Sequence, residues 1–337
     1  MRSGSASAAT PECELLLPSP DFRSAREERY TMPSSMDSPV PRSQLVDALS
    51  VDVEDYFHVE AFAHCVSPQD WPRFPSRFSA NTRRVLELFA QFGCRATFFV
   101  LGWVAESDPS LVRDIVKAGH EVGCHSYAHR RVTSLTHHEF REDLRRARCA
   151  IEDAGGTEVL GYRAPTFSIG RKSLWALDIL AEEGFLYDSS IFPIRHDLYG
   201  YPEAPRFPHR RVLSSGRTLI EVPMSTFQLF GRNWPAGGGG YLRILPLSHT
   251  RWAIRRIHRV DHQPVIFYLH PWEVDPEQPR IQGGWKSNFR QYTRLSSMEG
   301  NLRSLLAEGQ FEPMINLVRR QTSLPVVAAT QADPVPA

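Results

Sequence analysis

The chain has 337 residues and a formal net charge of +1, from 39 basic and 38 acidic residues. That length holds one large α/β domain or two small ones, and the balanced charge gives no reason to expect nucleic acid or another polyanion as partner. Five scattered cysteines, Cys13, Cys65, Cys94, Cys124 and Cys149, form no Cys-x-x-Cys pair, which argues against a disulfide framework or a zinc ribbon.

Residues 1–43 are rich in Ser, Pro, Arg and Glu and read as disordered. They contain no apolar core of a signal peptide, Leu15–Leu17 being too short, and Met32 and Met36 lie near the first strand as alternative starts. No stretch approaches the roughly 18 apolar residues that span a bilayer, so cytoplasmic residence is the default expectation.

Leu45–Val53 reads as the first strand, and Ser79–Phe92 as a helix that Gly93 stops. Ala96–Leu101 is a buried strand. Asp108 and Pro109 supply the N-cap and first-turn proline of the next helix, with Leu111, Val112, Ile115 and Val116 on its core face. His120–Cys124 is the third strand. Thr136 and Glu139 form a capping-box signature for a helix through Ala154. Val159–Tyr162, Phe185–Tyr187, Thr218–Val222 and Val265–Leu269 follow as strands, with a helix from Lys172 to Glu183. The arginine-dense stretch 251–259 reads as a solvated helix face, and Gly237–Gly240 as a loop that either approaches a ligand closely or supplies flexibility. Residues 321–337 read as a loose tail.

Strands alternating with helices imply an α/β fold with a parallel sheet and right-handed crossovers. About seven such units fit a closed or nearly closed (β/α) barrel over residues 44–320, with an extension after about residue 275. An open doubly wound sheet is the alternative, although no glycine-rich phosphate fingerprint follows the first strand.

Polar groups stand at five strand ends. Asp52, Glu54 and Asp55 end the first, and His125 and His129 the third. Arg163 and Pro165 follow the fourth, Asp188, Ser189 and Ser190 the fifth, and His270, Trp272 and Glu273 the last. In a parallel barrel these ends share one face. Two imidazoles with a carboxylate suit a hydrolytic divalent metal, and an i,i+4 His pair can converge on one ion from a single helical turn. Asp52 is the candidate base, Arg163 the group that holds it ionised, and His270 the candidate acid. Together they make a base–metal–acid device for an amide or ester.

These motifs, Ser-Val-Asp-Val-Glu-Asp, His-Ser-Tyr-Ala-His, Arg-Ala-Pro-Thr, Tyr-Asp-Ser-Ser and Tyr-Leu-His, resemble those of the NodB-homology polysaccharide deacetylases, carbohydrate esterase family 4, from Leu45 to His270. The resemblance implies a distorted (β/α) barrel, one bound divalent ion, often zinc, and removal of acetyl groups from N-acetylated sugars. Val-Asp-Val-Glu-Asp-Tyr-Phe-His and the extension after His270 look like the subgroup found with exosortase and exopolysaccharide gene clusters. One departure is clear: the commoner motif has two adjacent Asp, base then ligand, whereas here Val53 and Glu54 separate Asp52 from Asp55. The metal carboxylate is Asp55 or Glu54, with a slight lean to Asp55. Pro165, Trp234, Tyr241 and Trp272 are candidate substrate contacts, because aromatic rings offer flat apolar faces to sugars. Two other readings compete: an amide hydrolase acting on a small cyclic amide, and a non-catalytic glycan-binding module.

Overall fold

The computed structural model describes residues 45–320 and 324–328. The expectations for residues 1–43 and for most of the tail lie outside that range.

The elements run in chain order as β1 (Asp47–Val53), α1 (Phe78–Gln91), β2 (Thr97–Val100), α2 (Gly102–Ser107), α3 (Pro109–Lys117), β3 (Glu121–Cys124), α4 (His137–Gly155), β4 (Gly161–Tyr162), α5 (Trp175–Glu182) and β5 (Tyr187–Asp188). The second half adds β6 (His209–Val212), β7 (Thr218–Glu221), β8 (Thr226–Leu229), β9 (Arg232–Pro235), α6 (Gly239–Ile244), α7 (Leu247–Arg256) and β10 (Ile266–Leu269). It ends with α8 (Trp285–Tyr292), α9 (Leu295–Glu308), β11 (Phe311–Glu312), α10 (Met314–Arg320) and β12 (Val326–Val327).

Seven strands are parallel neighbours in the order β10-β1-β2-β3-β4-β5-β7, which is the expected barrel. No backbone ladder joins β7 to β10. That gap is filled from the base of the β8–β9 hairpin, where the Ser225 hydroxyl accepts from the Ile266 N–H of β10 at 2.7 Å. β6 adds antiparallel to β7, and β12 adds parallel to β6, so residues 326–327 belong to the sheet edge and not to a loose tail. Among the described residues no helix is long and apolar enough to cross a membrane.

Local signals place the helices. Asp108 accepts from the Leu111 N–H ahead of Pro109, and Thr136 and Glu139 close a reciprocal capping box at α4. Gly156 then ends α4 in the left-handed region, at φ 62°. The inner face of α1, with Val85, Leu88 and Phe89, packs in one core with Phe98 and Val100 of β2 and Leu111, Val112 and Ile115 of α3. Each such side chain contributes about 1.5–3 kcal/mol on burial. The arginine-dense stretch is helical as expected, through α7 and a π-helical turn at Ile257–Asp261, with Thr250, Ala253 and Ile257 buried.

The C-terminal extension closes the N-terminal end of the barrel. The Met314 N–H donates to Thr97 Oγ1 at 2.8 Å and the Ile315 N–H to Glu121 Oε2 at 3.0 Å, with the Tyr187 hydroxyl on Glu121 Oε1 at 2.9 Å. The Met314, Leu317 and Val318 side chains join Ala48, Phe99 and Met224 in the barrel's inner cluster.

Candidate active site

The other end of the barrel, at the strand C-termini, opens into a cleft of about 410 Å³. Asp52, Glu54, His125, His129 and His270 line it, as their positions at strand ends require.

Arg163 is fully buried in the barrel interior and lies over the Phe99 ring at 4.3 Å. It donates to Asp52 Oδ1 at 2.7 Å, Ser50 Oγ at 2.8 Å, the Ser189 carbonyl at 3.2 Å and Ser189 Oγ at 3.0 Å. A buried guanidinium so engaged fixes the Asp52 carboxylate as a charge-assisted partner. It leaves Oδ2 toward His270, whose Nε2 is 4.0 Å away. The neighbouring Ser190 hydroxyl accepts from the Ala164 N–H at 2.8 Å and donates to Asp188 Oδ1 at 2.5 Å, which braces the loop carrying Arg163. Asp188 and Glu221 are both buried, and burial raises both carboxyls, Glu221 well above its ordinary value.

Glu54, His125 and His129 bring one ligand atom each to within 4.8 Å of one another. His125 Nδ1 donates to the Arg163 carbonyl at 2.8 Å, so its Nε2 lone pair is free. His129 Nε2 lies 2.7 Å from Glu54 Oε2, yet Oε2 has no hydrogen-bond partner in an acceptable geometry and is buried. A carboxylate oxygen and an imidazole nitrogen that crowd together without a proton aligned between them fit a cation-binding donor set. Burial by itself would raise the Glu54 carboxyl, but His129 and His270 outweigh it and hold the group below the usual carboxylate range. Burial pushes the His125 imidazole down to about 4, which keeps it neutral as a metal ligand requires.

Asp55 is placed elsewhere. Its Oδ2 accepts from the Arg77 N–H at 2.6 Å, the Phe78 N–H at 3.0 Å and Ser76 Oγ at 3.1 Å, and its Oδ1 from the Tyr56 N–H at 2.9 Å. Both oxygens are engaged, Oδ2 tying the end of β1 to the start of α1, so the geometry favours Glu54 over Asp55 as the metal carboxylate. The histidine pair also differs from expectation in local form. Residues 125–131 are a loop and not a helical turn, with Ser126 at φ 71° and His129 at φ 53°. Among the described residues seven non-glycine residues have positive φ, and four of them (Ser126, His129, Thr166 and Phe167) lie in the two loops that carry this site. Strain of that kind persists where surrounding structure over-determines it.

His270 follows β10. Its Nε2 lies 3.3 Å from Glu54 Oε1, and its Nδ1 lies 3.3 Å from Glu273 Oε2. Burial opposes its charge, but Glu54, Glu273 and Asp52 raise the imidazole to about 9. Glu273 is fixed in turn by Arg243, which donates to its Oε1 at 2.9 Å, and both are buried. Trp272 lies nearly parallel to the His270 ring, at 5.1 Å and 18°, and its indole N–H donates to Glu54 Oε1 at 3.4 Å.

The expected substrate contacts divide. Tyr241 and Trp272 line the cleft. Trp272 is only 5% exposed and serves chiefly to orient Glu54 and His270. Pro165 is buried and absent from the lining, where its neighbours Ala164, Thr166 and Phe167 stand instead. Trp234 sits on β9 of the outlying hairpin, opposite Phe227, and does not reach the cleft. Within the glycine run, a Cβ at Gly237 would meet the Ile266 carbonyl of β10 at 2.5 Å and one at Gly239 would overlap the Glu273 carboxylate, whereas Gly240 lines the cleft. The sequence reading missed Arg243 and the role of Glu273. The spacing His-Pro-Trp-Glu was the available signal, because Glu273 reaches back as a capping-box partner to the His270 N–H, with Pro271 in the first turn.

Residues 70–182 match the polysaccharide deacetylase family model. The chain is 31% identical over 125 residues to a peptidoglycan deacetylase of Helicobacter pylori, covering 37% of this chain and 42% of that one. It is 29% identical over 111 residues to a bifunctional xylanase/deacetylase of Pseudobutyrivibrio xylanivorans, covering 33% and 18%. The chain thus spans less than half the length of these curated relatives. A structure from Mycobacterium smegmatis assigned to the polysaccharide deacetylases shares the fold, with TM-score 0.59 and 20% identity over 90% of this chain and 98% of that one. Residues 70–182 thus carry a polysaccharide deacetylase domain match. The chain's second half, residues 189–319, matches a domain of unknown function, DUF3473, and supplies β10, His270, Glu273 and Arg243.

Proposed function

We propose that this protein hydrolyses the acetamido group of an N-acetylated polysaccharide or its precursor, releasing acetate and a free amine. The observation that carries the reading is the convergence of Asp52 on Arg163, the Glu54–His125–His129 donor set and His270 at one cleft. Glu54, His125 and His129 would hold one divalent ion, zinc by the chemistry of the donors; such an ion activates water and polarises the acetyl carbonyl. Asp52, fixed by Arg163, takes the proton from the attacking water through Oδ2. His270, oriented by Glu273, gives a proton to the departing nitrogen. Trp272 keeps both Glu54 and His270 in register. The motif Val-Asp-Val-Glu-Asp-Tyr-Phe-His supports a place in exopolysaccharide synthesis within this reading.

Purified protein loaded with zinc should release acetate from N-acetylated glycans and lose that activity on chelation. A preparation that binds stoichiometric zinc yet releases acetate from no N-acetylated glycan, while opening a small cyclic amide, would establish the competing hydrolase.

A further inference from the structure

We infer that α8 is a distal glycan-binding strip, which stacks the sugar rings flanking the one being deacetylated. This rests on the deacetylase reading above and specifies where its substrate extends. Phe289 lines the cleft and is 51% exposed, and Trp285, one turn earlier on the same face, is 76% exposed. Two large aromatics therefore form a path that begins at the cleft and leads outward along the helix.

The helix beneath them is firmly fixed. Arg243, buried beside the site, donates to the carbonyls of Arg290 at 3.0 Å, Gln291 at 3.4 Å and Thr293 at 2.7 Å, which are the unsatisfied acceptors at the α8 C-terminus. Ser287 Oγ donates to the Ala61 carbonyl at 3.0 Å, and Gln291 Nε2 to Gln278 Oε1 at 2.9 Å. The inner face is thus satisfied, and the two exposed rings are held in place before any ligand arrives, which lowers the entropy lost on binding. The rim beside Phe289 is polar: Arg290 pairs with Asp197 at 2.9 Å, and both remain partly exposed. Flat apolar rings beside charged hydrogen-bonding groups match a pyranose, which has apolar C–H faces and a hydroxyl edge.

The test uses β-linked N-acetylglucosamine oligomers of one to six units. Binding is followed by calorimetry in an Asp52→Asn background, and acetate release is followed in the active protein. The hexamer should bind more tightly than the single sugar. Trp285→Ala and Phe289→Ala should each weaken the hexamer by about tenfold and the single sugar far less, and Trp285→Tyr should recover most of the loss. Equal affinity for hexamer and single sugar, equal losses on both, or no binding of any oligomer would overturn the strip. So would a wild-type dimer that Trp285→Ala dissociates, which would make α8 an interface. Length-dependent binding lost in the two variants, with no acetate released, would keep the strip and refute the deacetylase reading.

Discussion

Gly239 and Glu273 occupy positions that exclude any side chain at residue 239, because a Cβ there would overlap the Glu273 carboxylate. The carboxylate needs that space to reach His270 Nδ1 and Arg243 together. Gly239→Ala should therefore displace Glu273 and misalign His270. Turnover is expected to fall about 10- to 100-fold with little change in KM, since acid alignment and not substrate contact is lost. Steady-state kinetics with a circular-dichroism check of folding measure this, and a variant with wild-type turnover would show that Glu273 does not align the acid.

The two acidic residues after Asp52 should separate cleanly on substitution. Glu54→Gln should lose bound metal while keeping its fold, because it removes one donor of three. Asp55→Asn should keep metal but lose about 1–3 kcal/mol of stability, because its carboxylate satisfies three backbone donors and a hydroxyl. Metal content by elemental analysis and unfolding midpoints in denaturant decide the matter. Metal loss in Asp55→Asn alone would reverse the assignment.

Asp52→Asn and His270→Ala should each retain metal and lower turnover about 10²- to 10⁴-fold, the usual share of general acid–base catalysis. The pair should be less than multiplicative, since both act on one proton-transfer sequence. Acetate-release assays on the single and double variants test this, and full activity in His270→Ala would assign the acid to another group.

His120 gives a pH dependence away from the metal site. Its Nδ1 accepts from the Ala96 N–H at 3.1 Å, and burial pushes the imidazole down to about 4 from an ordinary 6.5. The folded pKa lies below the unfolded one, so the neutral form is the one that stabilises. That stability is complete above about pH 6.5 and is lost as pH falls toward 4, up to about 3 kcal/mol in all. His120→Asn keeps an acceptor and cannot titrate, so its urea midpoint should fall less steeply between pH 7 and 4.5. Parallel wild-type and variant curves would exclude His120 as the source.

The parts of this architecture governed by short-range rules are legible in the chain. Asp108 before Pro109, Thr136 before Glu139 and Gly156 after α4 act through contacts within four residues, and β1, which carries Asp52, and β3, which leads to His125, are short, mainly apolar segments. The convergence of Asp52, His125, Arg163 and His270 follows from parallel strand ends alone. The remainder depends on long-range packing. Glu54 and Asp55 differ in role only because the chain turns after Val53 and delivers Asp55 to the start of α1, 22 residues away in sequence at Arg77. Trp234 misses the cleft because β9 pairs only with β8, and an aromatic beside a glycine run does not reveal which sheet it joins. Arg243 is silent in the sequence because its partners, Glu273 and the carbonyls of 290, 291 and 293 at the end of α8, lie 30 to 50 residues away along the chain.

The central strand β1 has a consequence for how such a protein can be divided. β1 carries Asp52 and is flanked by β2 from the first half of the chain and β10 from the second. The boundary between residues 182 and 189, where one recognised region gives way to the next, thus falls inside a single sheet. A fragment cut there would expose the edges of β1 and β4 and would lose His270 and the Met314 floor together. A gene fusion or truncation therefore keeps this sheet and its site whole only if both regions travel together.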